Sequence, residues 1–85
     1  MKKDWMITFR SVTYAQRGQR VLRDQEIYGY LQRTPRDLSQ KGCGYCLRIR
    51  EADPQEALNY LEENQIPFKR VYRVTGTGEM EEWQR

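Results

Sequence analysis

The stretch that decides the fold is YCLRIREADPQE, residues 45–56. In its first half, the apolar residues Tyr45, Leu47 and Ile49 alternate with Cys46 and two arginines. A period of two residues is typical of a β-strand that turns one face toward a core and the other away from it. The sequence therefore predicts a strand over residues 45–50.

A helix start follows this strand almost directly. Asp53 is a preferred cap residue, Pro54 suits the first helical position, and Glu56 places an acid in the first turn. We expect the helix to run to about Asn64. Its buried stripe would consist of Ala57, Leu58 and Leu61.

The same periodicities, followed outward, predict three more strands over residues 5–10, 26–32 and 68–74. A further helix is expected from Ser11 or Thr13 to about Arg23. Within it, Gly18 costs about 1 kcal/mol relative to alanine unless close packing requires a small residue there. The order β-α-β-β-α-β predicts an α+β, ferredoxin-like sandwich, in which two helices cover one face of a four-stranded antiparallel sheet. We expect one domain over residues 1–76 and a flexible C-terminal tail over residues 77–85.

The face of this sheet that the helices leave open is predicted to carry apolar, aromatic and basic side chains together. Strand parity assigns to it Met6, Thr8, Arg10, Tyr28, Tyr30, Cys46, Arg48 and Arg50. An uncovered face with two tyrosines suits a dimer interface, so a homodimer is one expectation. The combination of tyrosines and arginines also resembles the design of sheet-based RNA binders, but the third strand lacks the aromatic residues of that class. We therefore do not expect nucleic acid as a partner.

Composition limits the location and the chemistry. The chain has 85 residues, a net charge of +3, two cysteines and no histidine. It contains no apolar run near the roughly 20 residues that span a bilayer, and its N-terminus lacks the apolar core of a signal peptide. We expect a cytoplasmic protein without a membrane partner, whose thiols stay reduced.

Both cysteines lie in one Cys-x-x-Cys element, formed by Cys43 and Cys46. Such an element is a redox pair, a carrier thiol with a second thiol, or half of a metal site. If Gly44 and Tyr45 form the centre of a turn, a disulfide is within reach, whereas a strand that begins at Cys43 separates the two Cα atoms by about 10 Å. The plainest alternative is that neither cysteine has a chemical role.

Without histidine, a reactive thiolate depends on backbone N–H groups and on basic side chains. The nearby candidates for this stabilising role are Arg36, Lys41, Gly42, Gly44 and Arg48. Because the motif leads into a strand and not into a helix, it lacks the help of a helix dipole. We expect a modestly activated thiol.

The chain resembles a family of small proteins described as selenium/sulfur carrier protein-like. The resemblance spans about residues 5–74. Its motifs are Phe9-Arg10-Ser11, Pro35-Arg36 to Ser39, Cys43-Gly44 with Leu47-Arg48, and Val71-Tyr72-Arg73. It implies a thiol that accepts sulfur or selenium from a donor protein and passes it to an acceptor protein. In this pattern Cys43 is the carrier position, and Cys46 is a resolving or second thiol.

Two other functions stay open from the sequence. A metal-binding module would use the two thiolates for Cu(I) within one chain, or for zinc across a dimer. An interaction or nucleic-acid-binding module would use the open sheet face. Our leading hypothesis needs no cofactor and no metal. It describes a non-enzymatic carrier or a sulfurtransferase-type partner, since no general base is evident.

Overall fold

The computed structural model describes residues 4–34, 44–50, 53–76 and 78–83. These residues form two helices and five strands. In chain order the elements are β1 (Asp4–Phe9), α1 (Val12–Asp24), β2 (Gly29–Arg33), β3 (Tyr45–Ile49), α2 (Pro54–Glu63), β4 (Val71–Val74) and β5 (Met80–Trp83). All paired strands are antiparallel, and their order across the sheet is β2-β3-β1-β4-β5. The fold is therefore α+β, as predicted.

Both helices begin at the predicted caps. The Ser11 hydroxyl accepts a hydrogen bond from the Tyr14 N–H, and the Asp53 carboxylate accepts one from the Gln55 N–H at 2.9 Å. These bonds satisfy backbone donors that have no partner within a helix. Pro54 occupies the first turn of α2.

The main core lies between the helices and the sheet. Alternate residues of the central strands point into it, and α1 contacts α2 above them. Gly18 lies in close contact with these layers, because a Cβ built there would be 3.1 Å from Phe9 Cζ and 3.2 Å from Leu61 Cδ2. Close packing therefore explains a glycine within α1. The fully buried side chains of this core include Ile7, Phe9, Leu22, Leu47, Ile49, Leu58 and Leu61.

The predicted four-stranded sheet is wrong, because a fifth strand follows β4. Met80–Trp83, in the segment expected to be a tail, pairs with β4, placing Trp83 opposite Val71. The Trp83 ring packs edge-on against Trp5, with a centroid separation of 5.4 Å and an interplanar angle of 72°. Aromatic packing of this kind and the Arg73–Glu81 ion pair attach β5 to the sheet.

A second, smaller apolar cluster lies on the other face of the sheet. It consists of Met6, Cys46, Tyr72 and Val74, with Met80 packed against it. Within the described ranges, no helix residue belongs to this cluster. It gives this face an apolar centre, and the register places the exposed Tyr30 on the same face, opposite Arg48. Tyr28, which is also exposed, precedes β2.

Candidate functional site

The candidate site lies where β2 and β3 are joined. Residues 35–43 connect the two strands, and the backbone N–H of Thr34 donates to the carbonyl oxygen of Gly44 at 3.1 Å. This bond continues the β2–β3 ladder by one pair beyond the strand ends. It holds Thr34, the residue before the connecting segment, beside Gly44, the residue after it.

Four of the predicted site residues, Arg36, Lys41, Gly42 and Cys43, lie outside the described residues. The structure places the other three. Gly44 precedes β3, and Cys46 and Arg48 lie within it.

Gly44 has a backbone conformation that favours glycine. Its φ is +144°, and a Cβ at this position would lie 3.3 Å from Thr34 Oγ1 and 3.6 Å from the Phe9 carbonyl oxygen. Residues with a side chain rarely adopt positive φ. The glycine after Cys43 is thus required by the local backbone.

Cys46 is a buried free thiol at the second position of β3. Its exposed fraction is 0%, and it lies between Thr8 of β1 and Gln32 of β2 in the same cross-strand row. The thiol donates a weak hydrogen bond to the Arg33 carbonyl oxygen, with a sulfur–oxygen distance of 3.9 Å. The side chain is therefore held in the sheet by neighbours from both adjacent strands.

Burial raises the pKa of the Cys46 thiol, because the charged thiolate loses water. The side chains of Gln32 and Thr34 act in the opposite direction and lower the pKa by less. Among the described residues Thr34 Oγ1 has no hydrogen-bond partner at normal length, so its effect on the thiol is weak. At neutral pH Cys46 is a protonated, inaccessible thiol.

Arg48 lies on the same face as Cys46 but is paired with a carboxylate. Its Nη2 and Nε atoms donate to Asp4 Oδ2 at 2.9 and 3.3 Å, and Arg50 Nε approaches the same oxygen at 3.9 Å. This arrangement directs the Arg48 guanidinium toward β1. Its predicted role in stabilising a thiolate stays a prediction.

Sequence reasoning missed the polar neighbours of Cys46 and the partner of Arg48. Thr8, Gln32 and Asp4 come from other strands, so only the cross-strand register could have shown them. In the described part of the chain, no three cysteine or acidic side chains are grouped closely enough to hold a metal ion. The helices that the structure describes are too short or too polar to cross a membrane.

Fold and site define the class of protein: a small α+β domain in which a Cys-x-x-Cys element leads into a central strand. The family model described as "Putative Se/S carrier protein-like" matches residues 4–73, and the chain belongs to this family. The match covers every described element from β1 to β4 except the last residue of β4. No curated protein and no solved structure matches the chain.

Proposed function

We propose that this protein carries sulfur or selenium on Cys43 and hands it from a donor protein to an acceptor protein. The observation that carries the proposal is membership of the selenium/sulfur carrier family, whose match includes both cysteines. The reaction is thiol exchange in the cytoplasm. It requires no cofactor.

Transfer of sulfur from the donor to Cys43 needs no external oxidant. The Cys43 thiolate attacks the outer sulfur of a persulfide on the donor. A new sulfur–sulfur bond forms on Cys43, the donor's own sulfur–sulfur bond breaks, and the donor leaves as a thiolate. Delivery repeats this exchange with an acceptor thiolate, which restores the Cys43 thiolate. A selenium atom in the outer position follows the same scheme.

The burial of Cys46 supports Cys43 as the carrier. Cys46 is fully buried and has a raised pKa, so it is poorly suited to attack a persulfide on another protein. Cys43 directly precedes Gly44, the position at which the backbone requires glycine. We assign Cys46 the second role, that of a resolving thiol.

We also propose that the domain is ferredoxin-like, and the strand order supports this. The first four strands lie in the order β2-β3-β1-β4 in the sheet. Together with the two helices they follow one another along the chain as β-α-β-β-α-β, the element order of the ferredoxin-like arrangement. In this arrangement β5 is an addition at the edge beside β4. We further propose that the face with Tyr28 and Tyr30 can receive a second copy of the chain.

Intact-mass measurement tests the carrier role. Purified protein is incubated with a low-molecular-weight persulfide, and its mass is compared for the wild type, Cys43→Ser and Cys46→Ser. We expect the wild type and Cys46→Ser to gain sulfur and Cys43→Ser to gain none. Because Cys46→Ser removes a buried thiol, circular dichroism of each variant serves as the folding control. Unchanged sulfur uptake by folded Cys43→Ser would exclude Cys43 as the carrier.

A further inference from the structure

Three connections of the chain begin and end at the same end of the sheet. Register places Phe9, the last residue of β1, opposite Tyr45, which in turn lies opposite Arg33 at the end of β2. The Lys69 N–H donates to the Thr8 carbonyl oxygen at 2.8 Å, which brings the α2–β4 connection to the same end. The residues that flank the connections β1–α1, β2–β3 and α2–β4 therefore lie at this end of the sheet.

The described residues at this end form an exposed basic group, which we call the basic rim. It consists of Arg10, Arg33, Lys69 and Arg70. The rim extends from β2 to β4, over three inter-strand spacings, or about 14 Å. Of its members, Arg70 has a carboxylate partner, since its Nη1 lies 3.3 Å from Glu82 Oε1.

Acidic residues concentrate at the opposite end of the sheet. The connections there carry the exposed residues Glu26, Asp53 and Glu79, and Asp24 ends α1 at the same end. The exposed Arg23 and Arg50 also lie at this end. The basic rim is not entirely free of acids, because the last turn of α2 contributes Glu62 and Glu63 on the helix layer. Among the described residues, the rim end has four basic residues against Glu62, Glu63 and Glu82, and the opposite end has four acidic residues against Arg23 and Arg50. The rim end is therefore the more positively charged of the two.

The rim end is also the end of the Cys-x-x-Cys element. Residues 35–43 begin and end at the hydrogen-bonded pair of Thr34 and Gly44, beside Arg33. A partner that exchanges sulfur or selenium with Cys43 has to approach this end. Its surface therefore meets the basic rim.

We infer that the basic rim docks an acidic surface on the protein that donates or accepts the chalcogen. This inference rests on the proposed function. The exposed aromatic residues do not favour nucleic acid as the occupant, because Tyr30 pairs with Arg48, and Tyr28 precedes β2 at the acidic end. A single-stranded nucleic acid would need stacking surfaces beside its phosphate contacts.

Two donor peptides of equal length test the inference. Each carries a single cysteine persulfide, flanked by glutamates in one peptide and by glutamines in the other. The second-order rate of sulfur transfer to the full chain is followed by mass spectrometry at low and high salt. We expect the glutamate peptide to react about tenfold faster at low salt, and the difference to shrink strongly near 0.5 M salt, where the Debye length is only about 4 Å.

A matched pair of variants locates the effect. The rim variant combines Arg10→Gln, Arg33→Gln and Lys69→Gln. The control variant neutralises three exposed arginines on α1 by Arg17→Gln, Arg20→Gln and Arg23→Gln, and so removes the same total charge. We expect the rim variant to lose the preference for the glutamate peptide and the control to keep most of it. Equal losses in both variants would overturn the inference, because they would show an effect of net charge alone.

The outcomes separate this inference from the proposed function. If both peptides transfer sulfur to Cys43 at the same rate, the docking role of the rim is wrong and the carrier role stands. If neither transfers sulfur, the carrier role fails, and amide chemical shifts on titration with the unmodified glutamate peptide still report rim binding. Tighter binding of an oligothymidylate of equal charge, with shifts at the rim, would overturn an acidic protein as the partner.

Discussion

Replacing Gly44 by alanine tests whether the start of β3 depends on a conformation that favours glycine. The φ of Gly44 is +144°, and the added Cβ would lie 3.3 Å from Thr34 Oγ1. Backbone strain at such positions costs about 1–3 kcal/mol. The contact with Thr34 is tighter than ordinary packing and adds to this cost. We therefore expect Gly44→Ala to lower the free energy of unfolding by about 2 kcal/mol, a fall in Tm of about 10 °C for a domain of this size.

Urea denaturation followed by circular dichroism measures this loss. Gly76→Ala is the matched control, because a Cβ built at Gly76 meets no atom of the described residues within 4 Å apart from its neighbours in the chain. We expect the control to stay within about 0.5 kcal/mol of the wild type. If Gly44→Ala is equally harmless, the backbone of residue 44 tolerates a side chain, and our explanation of this glycine is wrong.

Two further predictions concern buried positions. Gly18→Ala would place a methyl group 3.1 Å from Phe9 Cζ. We expect this crowding to outweigh the gain of about 1 kcal/mol in helix propensity, so that urea unfolding shows a net loss of about 1 kcal/mol in the free energy of unfolding. A variant more stable than the wild type would contradict the close packing at Gly18. Burial raises the pKa of Cys46 above that of an unfolded thiol, so its contribution to stability is complete below about pH 8.5 and declines as the pH rises above it. In a Cys43→Ser background, the free energy of unfolding should therefore fall more steeply over this range than in the same background with Cys46→Ala; equal slopes would contradict the burial of the thiol.

Local sequence signals correctly predicted those helices and strands whose deciding residues lie within or next to the element itself. Asp53 and Pro54 mark the start of α2 at the observed residues, and the alternation around Leu47 predicted β3 to within one residue. Strand parity also placed Cys46 away from the helices, and its position in the second apolar cluster agrees with this. In each case the deciding residues are neighbours in the sequence.

The strand β5 could not be predicted in this way. Between Met80 and Trp83 lie two glutamates, so the segment lacks the alternating apolar pattern of a strand. Its aromatic contact is with Trp5, which is distant in the sequence, and the pairing of Arg73 with Glu81 depends on the β4–β5 register. The environment of Cys46 likewise depends on the β2–β3 register, which local sequence patterns do not reveal.

The burial of Cys46 bears on what kind of carrier this protein would be. A resolving thiolate that attacks the inner sulfur of a Cys43 persulfide releases hydrosulfide and leaves a disulfide, which a reductant must then open. A thiol with no exposed surface and a raised pKa is rarely ionised, so this reaction is slow while the β2–β3 end stays paired. On the proposed function, burial of Cys46 thus protects the cargo until an acceptor arrives.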